Sequence, residues 1–416
     1  MIKSVKIENY KSIQELEMDV GRFNVIIGEN GAGKSNFLES IAIFSAGIKN
    51  HIEHEFLFSR GIRVVNPIHY FSAFKNQPSQ TITITIQFNK NKTTLKIKND
   101  SQSIYYFTPK IEISYQTNGI NITKKTTTIN PSDMEKSHQY LPIEKLNLEE
   151  ALNKAFSILD SHEKTLKRPP YKGEFIRKST LSREKSSREM DNWSPDKFMG
   201  NIIIYSPENT ALRNFYREGQ IEPLGINGEG LLKLLKVMQE SEPAAFQDVL
   251  NCLELFDWFE TIDVPKDLSS MEDKVSIKDK YLTTLFDQRS ANEGFLFVLF
   301  YAALFCSQYT PKIFAIDNID ASFNPKLCTV LIKKLVELAK KYDKQVFVTT
   351  HNPAILDGVD LGDEEQKLFV ASRNKQGHTR FKTLTLADKP KSSTGEPIRL
   401  SEAFLRGYLG GLPKNF

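Results

Sequence analysis

The sequence contains few cysteines and no long apolar run. Its three cysteines, Cys252, Cys306 and Cys328, are far apart and form no C-x-x-C pair, which favours a reducing cytoplasm over a disulfide-stabilised secreted scaffold. The longest apolar run, 295–306, has 12 residues, whereas a membrane-spanning helix needs about 20. We therefore expect a cytoplasmic protein that does not contact a membrane, with run 295–306 forming a buried helix.

A strong charge excess is also missing. The net charge is +4 over 416 residues, with 40% hydrophobic and 25% charged residues, which is ordinary for a soluble protein with a core. Basic residues concentrate between 163 and 189, where nine lysines and arginines face four glutamates. Segment 164–188 is therefore a candidate for binding DNA or RNA phosphates. A solvated charged loop, or a contact to an acidic partner, is the alternative.

One motif dominates what is present. Residues 28–35 read GENGAGKS, with the spacing G-x-x-x-x-G-K-[ST], between an apolar strand pattern at 23–27 and a helical pattern at 36–44. Such a loop wraps phosphates with its amide groups, while Lys34 meets the β- and γ-phosphates and Ser35 ligates Mg²⁺. The motif predicts a nucleoside triphosphate site. Its candidate nucleotide-binding residues are Gly28, Glu29, Asn30, Gly31, Ala32, Gly33, Lys34, Ser35 and Asn36.

The opening of the chain resembles the head domain of the RecF/SMC group of ABC-type ATPases. The resemblance is based on a strand pattern at 5–7, the turn sequence Asn9-Tyr10-Lys11-Ser12-Ile13 and the phosphate loop followed by Asn36. The resemblance implies that the bound nucleotide is ATP with Mg²⁺ and that Lys11 or Ser12 lies near it. A solvated turn lysine is the alternative reading of Lys11.

A second block, 290–295, resembles the ABC signature, which in this group often reads L-S-[DE]-G-T. Asn292 occupies the usual serine position, and Glu293-Gly294 keep the rest. An asparagine amide can still donate a hydrogen bond. In such heads the signature faces the γ-phosphate held by the opposite protomer, so the resemblance implies at least a homodimer.

The run 312–316 followed by Asp317 resembles a Walker B strand, and the resemblance implies that Asp317 holds Mg²⁺ together with Ser35. Relatives place a glutamate next, whereas this chain has Asn318, with Asp320 two residues later. Residues 322–325 resemble the D-loop at the dimer seam. His351, which follows an apolar strand pattern at 345–350, resembles the switch histidine that contacts the γ-phosphate. The catalytic candidates are therefore Asp317, Asn318, Asp320 and His351.

The remaining patterns give the domain layout. Alternation at 81–86, 94–97 and 111–115 predicts an antiparallel sheet beside the phosphate-loop helix. Gln77 is a candidate for the Mg²⁺-sensing glutamine of such heads. We expect an N-terminal lobe at 1–145, a helical and basic insertion at 146–200 and a C-terminal lobe at 201–416. In detail, 146–166 reads as helix, 164–188 as loop and 400–412 as a closing helix.

These observations predict an α/β fold: an ABC-ATPase head with a mixed core sheet, a flanking antiparallel sheet and a short insertion. The short chain resembles the OLD-like ATPases of prokaryotic defence, which implies a separate effector such as a nuclease or toxin. About 65 residues follow His351, fewer than a fused TOPRIM nuclease needs. A RecF-like DNA repair ATPase is the alternative. A transporter subunit is disfavoured because it normally keeps L-S-G-G-Q and the Walker B glutamate.

Overall fold

In the computed structural model the chain forms two large sheets and a set of helices. The structure describes residues 1–74, 77–89, 91–99, 109–117, 120–129, 176–183, 201–213, 223–264, 274–321, 323–391 and 398–412. Its strands are β1 (Ser4–Tyr10), β2 (Ile13–Asp19), β3 (Phe23–Gly28), β4 (Ala73–Phe74), β5 (Gln77–Pro78), β6 (Thr81–Phe88), β7 (Asn91–Asn99), β8 (Pro109–Thr117), β9 (Ile120–Ile129), β10 (Ile176–Arg183), β11 (Ile204–Tyr205), β12 (Phe259–Asp263), β13 (Ser276–Asp279), β14 (Phe286–Asp287), β15 (Ile313–Ile316), β16 (Gln345–Thr350), β17 (Gln366–Arg373) and β18 (Thr379–Leu384).

The described helices are mostly short. The α-helices are α1 (Lys34–Ile48), α2 (His54–Phe58), α3 (Asn209–Arg213), α4 (Leu231–Ser241), α5 (Pro243–Leu253), α6 (Glu293–Cys306), α7 (Pro325–Lys341) and α8 (Leu400–Leu405). Three 3-10 helices cover Pro67–Tyr70, Pro353–Gly358 and Leu386–Asp388. Among the described residues, no helix has the length and apolar character needed to cross a membrane.

The core sheet carries the phosphate loop. Its described strands run in the order β11-β15-β16-β3-β17-β18, and all neighbours are parallel except β17 and β18. Every residue of β3 and β16 is buried, as expected for parallel strands that are covered on both faces. The ends of β15, β16 and β3 therefore lie side by side, which brings the loops after these three strands to one edge.

The second sheet is antiparallel and combines the β1–β2 hairpin with strands from the later segment 81–183. Its described strands run in the order β10-β9-β8-β7-β6-β1-β2. Helix α1 contacts strands of both sheets. The approach is close: a Cβ atom on Gly47 of α1 would lie 2.6 Å from a methyl group of Leu95 on β7. The predicted antiparallel sheet beside the phosphate-loop helix is thus confirmed.

Helix α6 is the centre of the larger hydrophobic core. All residues from Phe295 to Cys306 are buried, and the helix packs against α3, α4, α5 and α7. The prediction that this apolar run is a buried helix is confirmed. The three cysteines are also buried and unpaired, so each one acts as a small apolar side chain.

Two sequence expectations differ from the structure. The segment 164–188, expected to be a loop, contains strand β10. This strand pairs antiparallel with β9 along its whole length, so its backbone groups are hydrogen-bonded in the sheet. The other residues of that segment, and the helix predicted at 146–166, lie outside the described residues. The closing helix ends at Leu405 and not at residue 412. Three glycines that follow have φ of 75° to 80°, which α-helical geometry does not allow: Gly407, Gly410 and Gly411.

Candidate nucleotide-binding site

The phosphate loop links β3 to α1 and depends on glycine at a crowded point. Gly33 caps α1 with φ of 101°, and a Cβ atom there would lie 2.2 Å from Oγ1 of Thr379. Both the left-handed backbone and this contact require glycine. The backbone N–H groups of the loop therefore lie at the N-terminus of α1, and this arrangement binds phosphate.

Lys34 is held inside this loop. Its Nζ donates hydrogen bonds of 2.9 and 3.0 Å to the carbonyl oxygens of Gly28 and Glu29, and the residue is buried. Burial lowers the pKa of Lys34 to about 8, while the carboxylates of Asp317, Asp320 and Glu29 act in the opposite direction. A lysine in this position supplies a compact positive charge for a phosphate group.

Asp317 faces the start of α1. The Ser35 hydroxyl donates to its Oδ2 at 2.9 Å, and the Thr349 hydroxyl donates to its Oδ1. Hydroxyl groups from α1 and β16 therefore fix both carboxylate oxygens. The sequence did not single out Thr349. The available signal was its place in the strand two residues before His351.

The Ser35 and Asp317 oxygens fit Mg²⁺. This ion prefers hard oxygen ligands and usually combines one or two protein groups with substrate phosphates, and the pair lies at the end of the phosphate loop. Mg²⁺ bound there would neutralise charge that develops on the phosphates. Ser35 and Asp317 are thus the residues that would hold the ion.

Three polar residues lie around this centre. Asn318 is exposed and has φ of 58°, a conformation that asparagine tolerates better than most residues. Its backbone N–H donates to the Thr349 hydroxyl at 2.9 Å. Asp320 has a buried Oδ1 without a hydrogen-bond partner in the described part of the chain. Partial burial and the Lys34 charge lower the pKa of His351, whereas Asp320 and Asp317 raise it. His351 therefore lies within electrostatic range of all three charged groups.

Ser12 braces the phosphate loop. Its Oγ lies 2.8 Å from Oγ1 of Thr379 and accepts a hydrogen bond of 2.7 Å from the Asn36 amide. Thr379 in turn donates to the carbonyl oxygen of Ala32 at 2.9 Å. The turn of the β1–β2 hairpin is thus tied to the loop through β18. No sequence motif marks Thr379, because β18 is a short, partly exposed strand far along the chain.

Lys11 has a different set of partners. It forms an ion pair with Glu39, a residue of α1 that is 2% exposed. Arg63 contacts the same carboxylate at 2.6 Å and also donates to Oδ1 of Asn36 at 3.1 Å. Burial lowers the pKa of Lys11, and Glu39 opposes this shift. Lys11 therefore balances a buried carboxylate, and its contact with nucleotide stays a prediction.

The signature-like and D-loop segments are joined through α6. Asn292 caps α6 by accepting a 2.7 Å hydrogen bond from the Phe295 amide, which is a role that serine would also fill. In the D-loop segment, the Phe323 ring packs on the rings of Phe297 and Tyr301 of α6, with ring centroids 6.1 and 6.2 Å apart. Asn324 caps α7. Both segments are thus fixed to one buried helix.

Four predicted residues contribute less to the site. Glu293 and Gly294 form the first turn of α6 and are partly exposed. Gln77 lies in the short strand β5, and its side chain is outside the described structure, as is Ser322 of the D-loop. The roles of all these residues stay predictions.

Comparison with known families agrees with this geometry. The model of a family described as AAA ATPase domain (AAA_15) matches residues 1–356. The chain belongs to this AAA ATPase family. With its motif order and two-sheet architecture, it is an ABC-type ATPase head of the RecF/SMC kind. The family typically uses a nucleotide with Mg²⁺.

Individual relatives are distant or short. The uncharacterized protein MJECL10 of Methanocaldococcus jannaschii is 33% identical over 110 residues, which cover 25% of this chain and 49% of that protein. The DNA replication and repair protein RecF of Exiguobacterium sp. is 43% identical over 51 residues, 12% of this chain and 13% of RecF. The chain thus matches at most about half the length of these relatives.

A solved structure shares the fold across nearly the whole chain. This is an SMC head bound to the C-terminal winged-helix domain of ScpA, with a TM-score of 0.52 and 14% identity, covering 93% of this chain and 98% of that one. At this identity the similarity shows the fold alone.

Proposed function

We propose that this ATPase closes into a homodimer around Mg·ATP, hydrolyses it slowly and thereby controls a separate effector protein. The observation that carries the proposal is the hydrogen-bond network of Ser35, Asp317 and Thr349 beside the phosphate loop. Asn318 directly follows Asp317, at the position where relatives carry a glutamate. The site has the groups that bind Mg·ATP but lacks the usual carboxylate that activates water.

Slow hydrolysis follows from the chemistry of the amide. An asparagine side chain cannot accept a proton from water near neutral pH, and general-base assistance is worth roughly 10²–10⁴ in rate. Asp320 is the remaining acid nearby, with one buried oxygen that has no partner among the described residues. A long-lived ATP-bound state would therefore persist long enough for an effector to bind it.

Dimerisation is proposed from the signature-like segment. The amide oxygen of Asn292 caps α6, so its NH₂ group is the end that remains for a phosphate of a second protomer. The D-loop segment is anchored to the same helix through Phe323. Two heads facing each other would each complete the other's site.

The effector and its biological setting are proposed from resemblance. The related SMC head is bound to a domain of ScpA, which supports a partner protein for this head as well. A nuclease or toxin that acts in antiviral defence is the proposed effector, as in OLD-like systems. A second candidate, a RecF-like ATPase that binds DNA through segment 164–188, is favoured by the short RecF matches.

Mass photometry with and without Mg·ATP tests the proposal. Wild type should shift from monomer to dimer with ATP, and Asn292→Arg should stay monomeric because it adds bulk and charge at the seam. Asn251→Arg, an exposed change on α5, is the matched control and should dimerise. A wild type that ignores ATP would reject the dimer model. Tight, salt-dependent DNA binding by an ATP-bound monomer would instead favour the RecF-like candidate.

A further inference from the structure

An open groove of about 760 Å³ lies on the surface of the described part of the chain. Its walls come from three segments: the first two turns of α7, the 3-10 helix Pro353–Gly358 and helix α8. None of the functional motifs discussed above accounts for this groove.

Hydrogen bonds hold the three walls together. The Thr329 hydroxyl on α7 donates to the Ala354 carbonyl oxygen at 2.9 Å. Ser401 on α8 donates to the two carboxylate oxygens of Asp357, from its amide at 3.0 Å and from its hydroxyl at 2.6 Å. The groove is therefore preformed, and a preformed groove lowers the entropic cost of binding.

The surface of the groove combines exposed apolar groups with positive charge. Val330 and Leu405 are 41% and 65% exposed. Lys326, Lys389 and Arg399 also line the groove, and within the described parts of the chain none of them forms an ion pair. Asp357, the carboxylate in the lining, already accepts hydrogen bonds from Ser401. This balance of charge fits a ligand with acidic and apolar side chains.

The position of the groove connects it to the nucleotide. Helix α7 starts at Pro325, the last residue of the D-loop segment, and Asn324 of the same segment caps it. The 3-10 helix starts two residues after His351, and Asn352 between them also lines the groove. A ligand in the groove would thus contact residues next in the chain to His351 and residues at the D-loop, which is where a protein that reads the nucleotide state should bind.

We infer that this groove is the docking site for an acidic, leucine-containing segment of the effector protein. The inference rests on the proposed control of an effector. Such a segment would place leucines against Val330 and Leu405 and carboxylates near Lys326, Lys389 and Arg399. An amphipathic helix with apolar residues three and four positions apart has this pattern.

A synthetic peptide tests the site directly. The probe is a fluorescent amphipathic helix with leucine at every third or fourth position and glutamate elsewhere, and its counterpart carries lysine in place of glutamate. Fluorescence anisotropy with the full chain should show binding of the acidic peptide only. Lys326→Glu and Leu405→Glu should each weaken that binding by about tenfold or more. Glutamate suits the first turn of α7, so Lys326→Glu should fold normally.

Matched controls separate groove binding from general charge effects. Lys333→Glu lies on an exposed face of the same helix, and Leu386→Glu changes another leucine, 63% exposed, outside the groove. Both should bind the acidic peptide as wild type does. Equal binding of the two peptides, or unchanged binding by Lys326→Glu and Leu405→Glu, would overturn the inference.

Mass photometry of the same variants distinguishes this inference from the dimer proposal. Loss of the ATP-dependent dimer in Leu405→Glu would assign the groove to a second copy of this chain and overturn the effector site. Normal peptide docking on a chain that never dimerises with ATP would support the groove and reject the dimer.

Discussion

The Ser35 hydroxyl donates a 2.9 Å hydrogen bond to Oδ2 of Asp317, a residue 282 positions further along the chain. The contact forms because β15, β16 and β3 are adjacent parallel strands whose ends meet at one edge. The middle strand adds Thr349, whose hydroxyl donates to the other oxygen of Asp317. One serine, one threonine and one aspartate thus form a fixed set of oxygens beside the phosphate loop.

Lys34→Ala should abolish measurable ATP binding. The variant removes the ammonium group that lies against the loop carbonyls of Gly28 and Glu29, and charge-assisted contacts to phosphate are the strong ones. Calorimetry with Mg·ATP measures the effect, and a thermal-melting check confirms that the variant is folded. Unchanged affinity in a folded variant would contradict the assignment of the site.

Asn318→Glu should increase steady-state ATP turnover. The new carboxylate can accept a proton from the attacking water, and this assistance is worth roughly 10²–10⁴ in rate, or about 3–5 kcal/mol of barrier. Affinity for ATP should change little because Lys34, Ser35 and the loop amides remain. Turnover and calorimetry on the same preparations measure the two quantities separately.

Asp320→Asn tests the rival account of the same step. Under the proposal, wild type is slow and this variant stays equally slow. A fast wild type that loses activity in Asp320→Asn would show that Asp320 already positions the water. In that case Asn318→Glu should give no acceleration, and the argument for a persistent closed dimer would fail.

Thr379→Val should weaken ATP binding by a few-fold to about tenfold. The variant keeps the shape of the side chain but removes the hydroxyl that contacts the Ala32 carbonyl and Ser12, and a hydrogen bond of this kind is worth about 1 kcal/mol. The loop next to Gly33 would then be held less firmly. Thr383→Val, exposed on the same strand, should bind ATP as wild type does. Equal affinities in the two variants would exclude a bracing role for Thr379.

The contribution of Lys344 to the free energy of unfolding should increase as the pH rises above about 7. Lys344 is fully buried, and its Nζ donates to oxygens of Ser307, Thr310 and Pro311 at 2.7 to 3.3 Å. Burial lowers its pKa to about 7, as does Lys312, while Cys306, Glu242 and Asp343 raise it. Between pH 7 and the ordinary lysine pKa of about 10.4, the unfolded chain binds more protons, so folding gains stability as pH rises. Below pH 7 both states are protonated and the dependence flattens.

Thermal melting of wild type and Lys344→Met across pH 7 to 9 checks this sign. The melting temperature of wild type minus that of Lys344→Met should increase with pH, since only wild type has the titrating group. The corresponding slope in the free energy of unfolding is at most about 1.4 kcal/mol per pH unit. Lys333→Met, which is exposed, should follow wild type at every pH. A difference that shrinks with rising pH would mean that the surrounding oxygens favour the ammonium form.

The sequence alone determined the local parts of this protein. A G-x-x-x-x-G-K-[ST] spacing between a strand and a helix pattern defines the phosphate loop because the glycines and the helix start are all within one short segment. The run from Phe295 to Cys306 had to be a buried helix because it is entirely apolar and too short to cross a membrane. The alternation at 81–86 likewise determined a strand with one buried face.

Only the tertiary structure decided which distant side chains complete the site. Thr349 and Thr379 carry no motif. Thr349 reaches Asp317 because β16 lies beside β15, and Thr379, at the start of β18, reaches the Ala32 carbonyl of the phosphate loop from two strands away from β3. Lys11 matched a family turn, yet the fold pairs it with Glu39, since a carboxylate buried on α1 needs a nearby cation. Sequence patterns report which face of an element is apolar, whereas the partner of a polar side chain depends on which elements pack against it.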